Sequence, residues 1–333
     1  MAGRTAKAAT IYDVAEAAGV SHQTVSRYLA GFQGIRPGTR ERVERALDEL
    51  EYRPNLSARG LKLGRSHIIA ALTHELDQVG PARVAEGAAA AAREAGYVLD
   101  LVTLDVHNPR AIEETLRVLS QQTLAGVLAL SSTDEMNRVF AGADFSVPLH
   151  VHSEADDASG VRATGVPAVI AHLAELGHRR IAHIAGAPNW AASRNRSRAV
   201  ADAAAAHGLE VVAELRGDWS AASAHAALAS LDELPPASAY VASNDQMALG
   251  AMLALKERGL RVPADVSVTG VDDIPEAAFF DPPLTTLRVD FAARGRQIVS
   301  AMLEKIGGPG ASASAAVDVP SLQVRRSTAP PPA

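Results

Sequence analysis

The chain contains no cysteine. Disulfides, thiol nucleophiles, zinc ribbons and cysteine-ligated clusters are excluded together, and a reducing compartment is the natural setting. Long apolar runs are missing too. No stretch reaches 18 residues, and residues 1–10, MAGRTAKAAT, carry two basic side chains but no apolar core of signal-peptide length. Neither secretion nor membrane spanning is expected, and the cytoplasm is the default location. There is no P-loop and no His-Glu-x-x-His. The 11 histidines are scattered, with His172 and His178 at no ligand spacing, so no metal site, cofactor or catalytic centre is expected. What is present is a globular composition, 47% hydrophobic and 21% charged over 333 residues, long enough for two or three compact units.

The net charge of −6 conceals an asymmetry. Residues 1–65 hold 11 Lys and Arg against 7 Asp and Glu, whereas residues 66–333 hold 21 against 31. A nucleic-acid arm attached to a small-molecule domain would carry this pattern, and so would a solvated basic terminus.

Within the basic part, Ile11, Val14, Ala15 and Ala18 recur at helical spacing and Thr10 with Asp13 offers a capping box, which predicts a helix over 11–18. Gly19 stops it. Ser21 can N-cap a second helix to about Ala30, and Thr39 starts a third whose Val43, Ala46, Leu47 and Leu50 can close a core with Val14, Val25 and Leu29. Two helices joined by a three-residue turn have helix-turn-helix spacing, in which the second helix enters the DNA major groove N-terminal end first. Val25 faces inward, leaving His22, Gln23, Ser26 and Arg27 outward with Thr24 beside them. Gln and Arg can bond base edges bidentately. An ordinary polar helix face is the competing explanation.

These residues also carry a resemblance. The stretch TIYDVAEAAGVSHQTVSRYLAG, then Thr39-Arg40-Glu41-Arg42-Val43, then Leu50-Glu51-Tyr52-Arg53-Pro54-Asn55, resembles the DNA-binding head of the LacI/GalR family of bacterial repressors. Similarity continues at 217–221 (GDWSA), 242–250 (ASNDQMALG) and 281–286 (DPPLTT). After Pro54 the segment to Lys62 is too short to hold a helix by itself. The resemblance implies a hinge helix that folds on operator DNA, with Asn55, Ala58 and Leu61 at the minor groove and Leu61 as an apolar wedge. Gly60 weakens such a helix by about 0.5–1 kcal/mol. Packing of Leu61 on the body is the alternative.

From His67 onward, short apolar strands alternate with helix-length segments. Strands are expected at His67–Leu72, Tyr97–Leu104 and Val127–Leu130, with helices at Pro81–Ala95 and Pro109–Gln121. A second series of strands falls at Ile181–Ala185, Glu210–Leu215, Ala239–Ala242 and Val266–Val271. The fold expected is therefore α/β: an N-terminal all-α helix-turn-helix head plus, as the resemblance implies, a periplasmic-binding-protein-like body of two parallel α/β subdomains. The expected boundaries are 8–54 for the head, 55–65 for the hinge and 66–329 for the effector-binding and dimerisation domain. That domain divides into 66–160 with 290–318 and 161–289 with 319–329, and 330–333 form a frayed tail.

Open α/β sheets bind ligands beyond the carboxyl ends of their strands, so two facing sheets put the site between them. The strand-end loops carry Asn189-Trp190, Arg194, Arg196, Asp218-Trp219, Asn244-Asp245 and Asp272-Asp273, including both tryptophans of the chain. Aromatic faces ringed by Asn, Asp and Arg suit a sugar. The family's effector positions fall on Arg196, Trp219, Asn244 and Asp272, to which Trp190 is added. Asp245 is expected to N-cap the helix Met247–Leu255, Arg194 and Asp273 read equally well as surface ion pairs, and Asp156-Asp157 as a solvated loop. His152 and Val289 stand where another family member has Asp and Gln, which leaves the sugar open.

The expectation is a homodimeric transcription repressor, not an enzyme, that binds palindromic operator DNA and releases it when a sugar binds. A corepressor response to a purine or other metabolite is one alternative, and a sugar-processing enzyme is another. A transport protein would need an export signal and no basic head. Ser327–Ala333 reads as frayed coil, and because no leucine heptads follow Val324, no tetramer is expected.

Overall fold

A computed structural model describes residues 9–29, 32–52, 66–76, 78–105, 108–130, 133–307 and 319–332. The hinge residues Asn55, Ala58, Gly60 and Leu61 lie outside the described residues. The chain divides into two compact units, Met1–His67 and Ile68–Ala333.

The first unit is built on α1 (Ile11–Ala17), α2 (His22–Leu29) and α3 (Pro37–Glu49). Thr10 and Asp13 close the capping box in both directions, and Ser21 Oγ accepts from the Thr24 amide at 3.2 Å. Gly19 takes φ +61°, which its neighbours with a Cβ would resist. α3 begins two residues before Thr39. Pro37 occupies its first turn, where the missing N–H has no intrahelical partner to lose. The core is Val14, Ala15, Ala18, Val25, Val43 and Ala46. Half of these are alanines, so little apolar area is buried.

The second unit holds two sheets. The first contains β1 (Ile68–Thr73), β2 (Val98–Thr103), β3 (Gly126–Leu130) and β4 (Leu149–His152), all parallel in the order β2-β1-β3-β4. The second contains β5 (Arg180–Ala185), β6 (Glu210–Arg216), β7 (Ala239–Ala242), β8 (Ser267–Asp272), β9 (Thr285–Arg288) and β10 (Ser321–Gln323). Their order is β10-β9-β8-β7-β5-β6, with β10 alone antiparallel. β1, β3, β5, β7 and β8 are buried along nearly their whole length because helices cover both faces of a parallel sheet. β4, β9 and β10 were not anticipated. β4 is four half-buried residues with two histidines, β9 starts with two threonines and β10 has only three residues, so none shows an apolar run.

The covering helices are α4 (Val79–Glu94), α5 (Pro109–Leu119), α6 (Asp134–Ala141), α7 (Ala158–Ala163), α8 (Val166–Glu175), α9 (Ala191–His207), α10 (Ala221–Ala229), α11 (Asp245–Glu257) and α12 (Phe291–Ile306). α12 lies between β9 and β10 of the second sheet in sequence yet packs on α4, which follows β1 of the first. The two backbones touch. A Cβ on Gly87 would lie 2.1 Å from Ala292 O, and one on Gly295 would lie 2.1 Å from Val84 O, so both positions exclude any larger residue.

The segment after Val324 is not frayed. Ser327 is fully buried, its Oγ donating to Val268 O at 2.6 Å and accepting from the Thr285 amide at 2.8 Å. Ala329 O meets His178 Nε2 at 3.0 Å, and His178 is itself a buried core residue between Ser238 and Ser267. Alanine and proline carry no periodic signal, and the hydroxyls of Ser327 and Thr328 do the anchoring. Among the described residues no helix is long and apolar enough to cross a membrane.

Candidate functional sites

In the first unit, α2 offers Gln23, Ser26 and Arg27 as exposed side chains, with His22 and Thr24 half-buried and Val25 buried. The frame behind them is fixed by contacts to α3. Tyr28 donates to Glu44 at 2.8 Å, which raises the phenol pKa, and the Arg40 guanidinium lies 5.5 Å over the Tyr28 ring. His22 packs its ring 5.2 Å from Tyr12, and Arg27 lies 5.7 Å over Phe32. A helix held this way can present polar side chains at its N-terminal end without spending them on the core.

In the second unit, the carboxyl ends of strands from both sheets enclose a cleft. Thr73, Leu130 and His152 reach it from β1, β3 and β4, and Asp272 from β8, while Trp190, Trp219 and Asn244 follow β5, β6 and β7. All five residues expected to bind an effector line it. The tryptophan rings lie 5.3 Å apart, tilted by 57°, and His74 stacks edge-on to Trp190 at 5.2 Å. Gly186 makes room for them, because a Cβ there would lie 2.4 Å from the Trp219 ring.

Arg196, on α9, places its guanidinium 5.5 Å over Trp219, donates to Ser243 O and reaches to 3.7 Å of Asp272 Oδ1. Burial pushes the Asp272 carboxyl up to about 7 against the opposing pull of Arg196 and Arg294. Both Trp219 (φ +78°) and Asp272 (φ +114°) hold a backbone conformation that side chains resist, and such strain concentrates where a structure must aim particular groups. Three buried polar atoms of the cleft lining, Thr73 Oγ1, Trp219 Nε1 and Asp272 Oδ1, have no hydrogen-bond partner among the described residues. Each such atom costs on the order of 1–3 kcal/mol unless something else bonds it.

Asn244, rather than Asp245, is the N-cap of α11. Its Oδ1 accepts from the Met247 amide at 2.9 Å, and its Nδ2 donates to Trp219 O at 2.8 Å. Its extended backbone suits a cap, while Asp245 already sits inside the first turn. Asp245 is fully buried, accepting from the Ile274 amide at 2.9 Å and from the Thr286 hydroxyl. Burial, then Asp272, pushes its pKa up to about 8.

Arg194 is an ion-pair residue, bonded to Asp134 at 2.9 and 3.0 Å and to Asp156 at 2.8 Å. Asp273 is one too, paired with Arg288 and Arg325, but its side chain is 6% exposed and so not at the surface. Asp157 is not merely solvated. It caps α7 by accepting from the Ser159 and Gly160 amides.

Sequence reading missed Glu154, Phe291 and Arg294, all of which line the cleft. Glu154 follows the unrecognised β4, and Phe291 with Arg294 opens α12, so no strand-end pattern pointed to them. Arg294 pairs with Glu154 at 2.6 Å and lies 6.0 Å over Phe291. His152 beside them is held neutral, its pKa lowered to about 4 by burial and then by Arg294. Val289 lines an adjoining recess with Arg83 and Arg288 rather than the cleft.

Residues 10–55 match the family described as bacterial regulatory proteins, lacI family, and residues 170–328 match a periplasmic binding protein-like domain. The lactose operon repressor of Escherichia coli (strain K12) is 32% identical over 332 residues, covering 98% of this chain and 92% of that protein. The transcriptional repressor PurR of Haemophilus influenzae (strain PittEE) is 31% identical, covering 96% of this chain and 98% of its own length. A lac repressor dimer solved with operator and the anti-inducer ONPF superposes with a TM-score of 0.83 at 32% identity, over 97% of this chain and 100% of that one. A CelR–cellobiose complex gives a TM-score of 0.66 at 29% identity, over 96% of this chain and 99% of that one.

Proposed function

The chain belongs to the LacI family of bacterial DNA-binding transcriptional regulators, and from that premise we propose a homodimeric repressor whose affinity for a palindromic operator falls when a carbohydrate occupies the cleft. One observation carries the effector reading. The tilted tryptophan pair offers an apolar face, and beside it the partnerless Trp219 Nε1 needs an acceptor while Asp272 Oδ1 needs a donor. A sugar hydroxyl is both. One relative points the same way, since CelR is described with cellobiose. Similarity to PurR keeps a purine in view, but two rings tilted by 57° form no parallel slot for a planar base.

On DNA, Gln23 and Arg27 read base edges in the major groove, supported by His22, Thr24 and Ser26. The hinge residues Asn55, Ala58 and Leu61 act in the minor groove, and pairing two heads on one site supplies the specificity that a single short helix lacks. Ligand and operator can influence each other only by differential affinity for two arrangements of the body, and the coupling is reciprocal. Both tryptophans of the chain lie at the cleft, so their fluorescence reports on that site alone. Titration with a panel of sugars and nucleobases is expected to change tryptophan emission with a sugar. A response to purines alone, with every sugar silent, would reject the carbohydrate class.

A further inference from the structure

Three successive residues after β5 meet one cluster of charge. Pro188 O accepts from Arg194 Nη1 at 2.8 Å, Asn189 O accepts from the Asp134 amide at 3.0 Å, and Trp190 makes an antiparallel bridge with Thr133. Thr133 and Asp134 stand at the start of α6, on the first sheet's wall of the cleft, whereas Arg194 stands in α9, which follows β5 of the second sheet. Its guanidinium crosses between the walls. Nη1 and Nη2 donate to the two Asp134 oxygens at 3.0 and 2.9 Å, and Nε donates to Asp156 at 2.8 Å. Asp156 lies on the connection that carries the chain from β4 of the first sheet toward β5 of the second. One side chain therefore grips both walls and the chain that joins them.

Stability alone is a weak reason for this arrangement. The Arg194, Asp134 and Asp156 side chains are 31%, 46% and 39% exposed, and ion pairs so open to water contribute little. What a forked arginine–carboxylate pair supplies is direction, since two parallel hydrogen bonds fix angle as well as distance. The direction matters at Trp190. Its ring packs edge-on against His74, from the loop after β1, at 5.2 Å. That contact hides both ring nitrogens of His74 with no hydrogen-bond partner among the described residues, Glu75 Oε2 standing 3.5 Å from Nδ1. A contact that covers unpaired polar atoms is readily parted, so a modest staple is enough to decide whether it holds.

We propose that Arg194 is a positioning residue of the cleft: by gripping Asp134 and Asp156 together it holds Trp190 closed on His74, and it passes any displacement of Trp190 to the connection between the two walls. A ligand that moves the tryptophan then pulls on Asp156 through the same guanidinium. The role is independent of the chemical class of that ligand.

The test is quenching of tryptophan fluorescence by acrylamide in the full-length protein without effector, because Trp190 and Trp219 are the chain's two tryptophans and are only 8% and 5% exposed. Arg194→Met should raise the Stern–Volmer constant at least about twofold, as the population with Trp190 parted from His74 grows. Arg198→Met is the control. Arg198 also pairs with Asp156, but its hydrogen bonds to Asn195 and to Arg194 O stay within α9, so its constant should match wild type. If Arg194→Met does not fold by circular dichroism, Asp134→Asn serves, since it keeps the backbone bond to Asn189 and removes the charge; its constant should rise in the same direction. A folded Arg194→Met or Asp134→Asn variant quenched as wild type is, or an equal rise in Arg198→Met, would overturn the staple.

Discussion

In the first unit the side chains proposed to meet DNA stand on the outside of a helix, behind which lie six buried apolar residues among those described. In the second unit the corresponding side chains are sunk in a cleft, strained at Trp219 and Asp272 and backed by four separate apolar clusters. On the proposed function, the difference follows from the partners. DNA supplies its own rigid shape and a large polar surface, so the reader needs little more than a scaffolded helix. A small ligand must be desolvated to be held tightly, and a deep, overdetermined core is what sustains the unpaired groups that wait for it.

Breaking the buried pair should have the largest effect. Arg196→Ala leaves Asp272 without its nearest cation, and effector affinity is expected to fall by about 100-fold or more, measured by tryptophan fluorescence titration. Operator binding without effector should be preserved. If the variant responds to the sugar as wild type does, the cleft assignment fails.

The contrast in cores predicts unequal thermal behaviour. Val25→Ala removes a fully buried side chain from the small core and should cost about 2 kcal/mol, enough to abolish operator binding by melting the head. In calorimetry the main transition of the body should stay where it is. A main transition lowered by several degrees would mean that the head contributes to the body's stability.

A third prediction concerns base reading. Gln23→Ala should relax preference at one base pair per half-site by about 1–3 kcal/mol, while Arg36→Ala weakens all sequences alike. Equal losses on specific and random duplexes for Gln23→Ala would remove it from the reading surface.

The head was legible in sequence because its signals are local: a capping box, a turn glycine and a 3–4 residue apolar period lie within about 40 residues. The cleft was legible only in part. Trp190, Trp219 and Asn244 follow recognisable strands, Asp272 ends one, and Arg196 stands in the helix after another. Glu154 and Arg294 are 140 positions apart and meet only because α12 returns to pack on α4. The capping role of Asn244 and the burial of Asp245 were inverted for a related reason, since either residue can cap and only the surroundings of Ile274 and Thr286 decide which is pulled inward.

The smallest effect expected is on pH dependence, and it separates the units. In the body, burial raises Asp245 to about 8 and Asp272 to about 7, above their value in the unfolded chain. The folded state therefore holds more protons, and stability falls as pH rises until both have ionised. His152, lowered to about 4, acts in the opposite sense, contributing stability above its unfolded pKa and losing it as pH falls from 6.5 toward 4. Between pH 6.5 and 8.5 the carboxyl effect should dominate, so the body's melting temperature should decline, and Asp245→Asn should flatten the decline. A melting temperature that rises over this range would contradict the buried protonated carboxyls.

The most direct test of coupling between the two regions is the anisotropy of a fluorescent operator duplex titrated with the full-length protein, with and without a sugar that binds the cleft. The sugar should lower operator affinity by roughly 5- to 150-fold, and operator should lower sugar affinity by the same factor. Operator affinity unchanged or tightened by a cleft-bound sugar would contradict this coupling, the latter outcome making the protein a corepressor-dependent regulator.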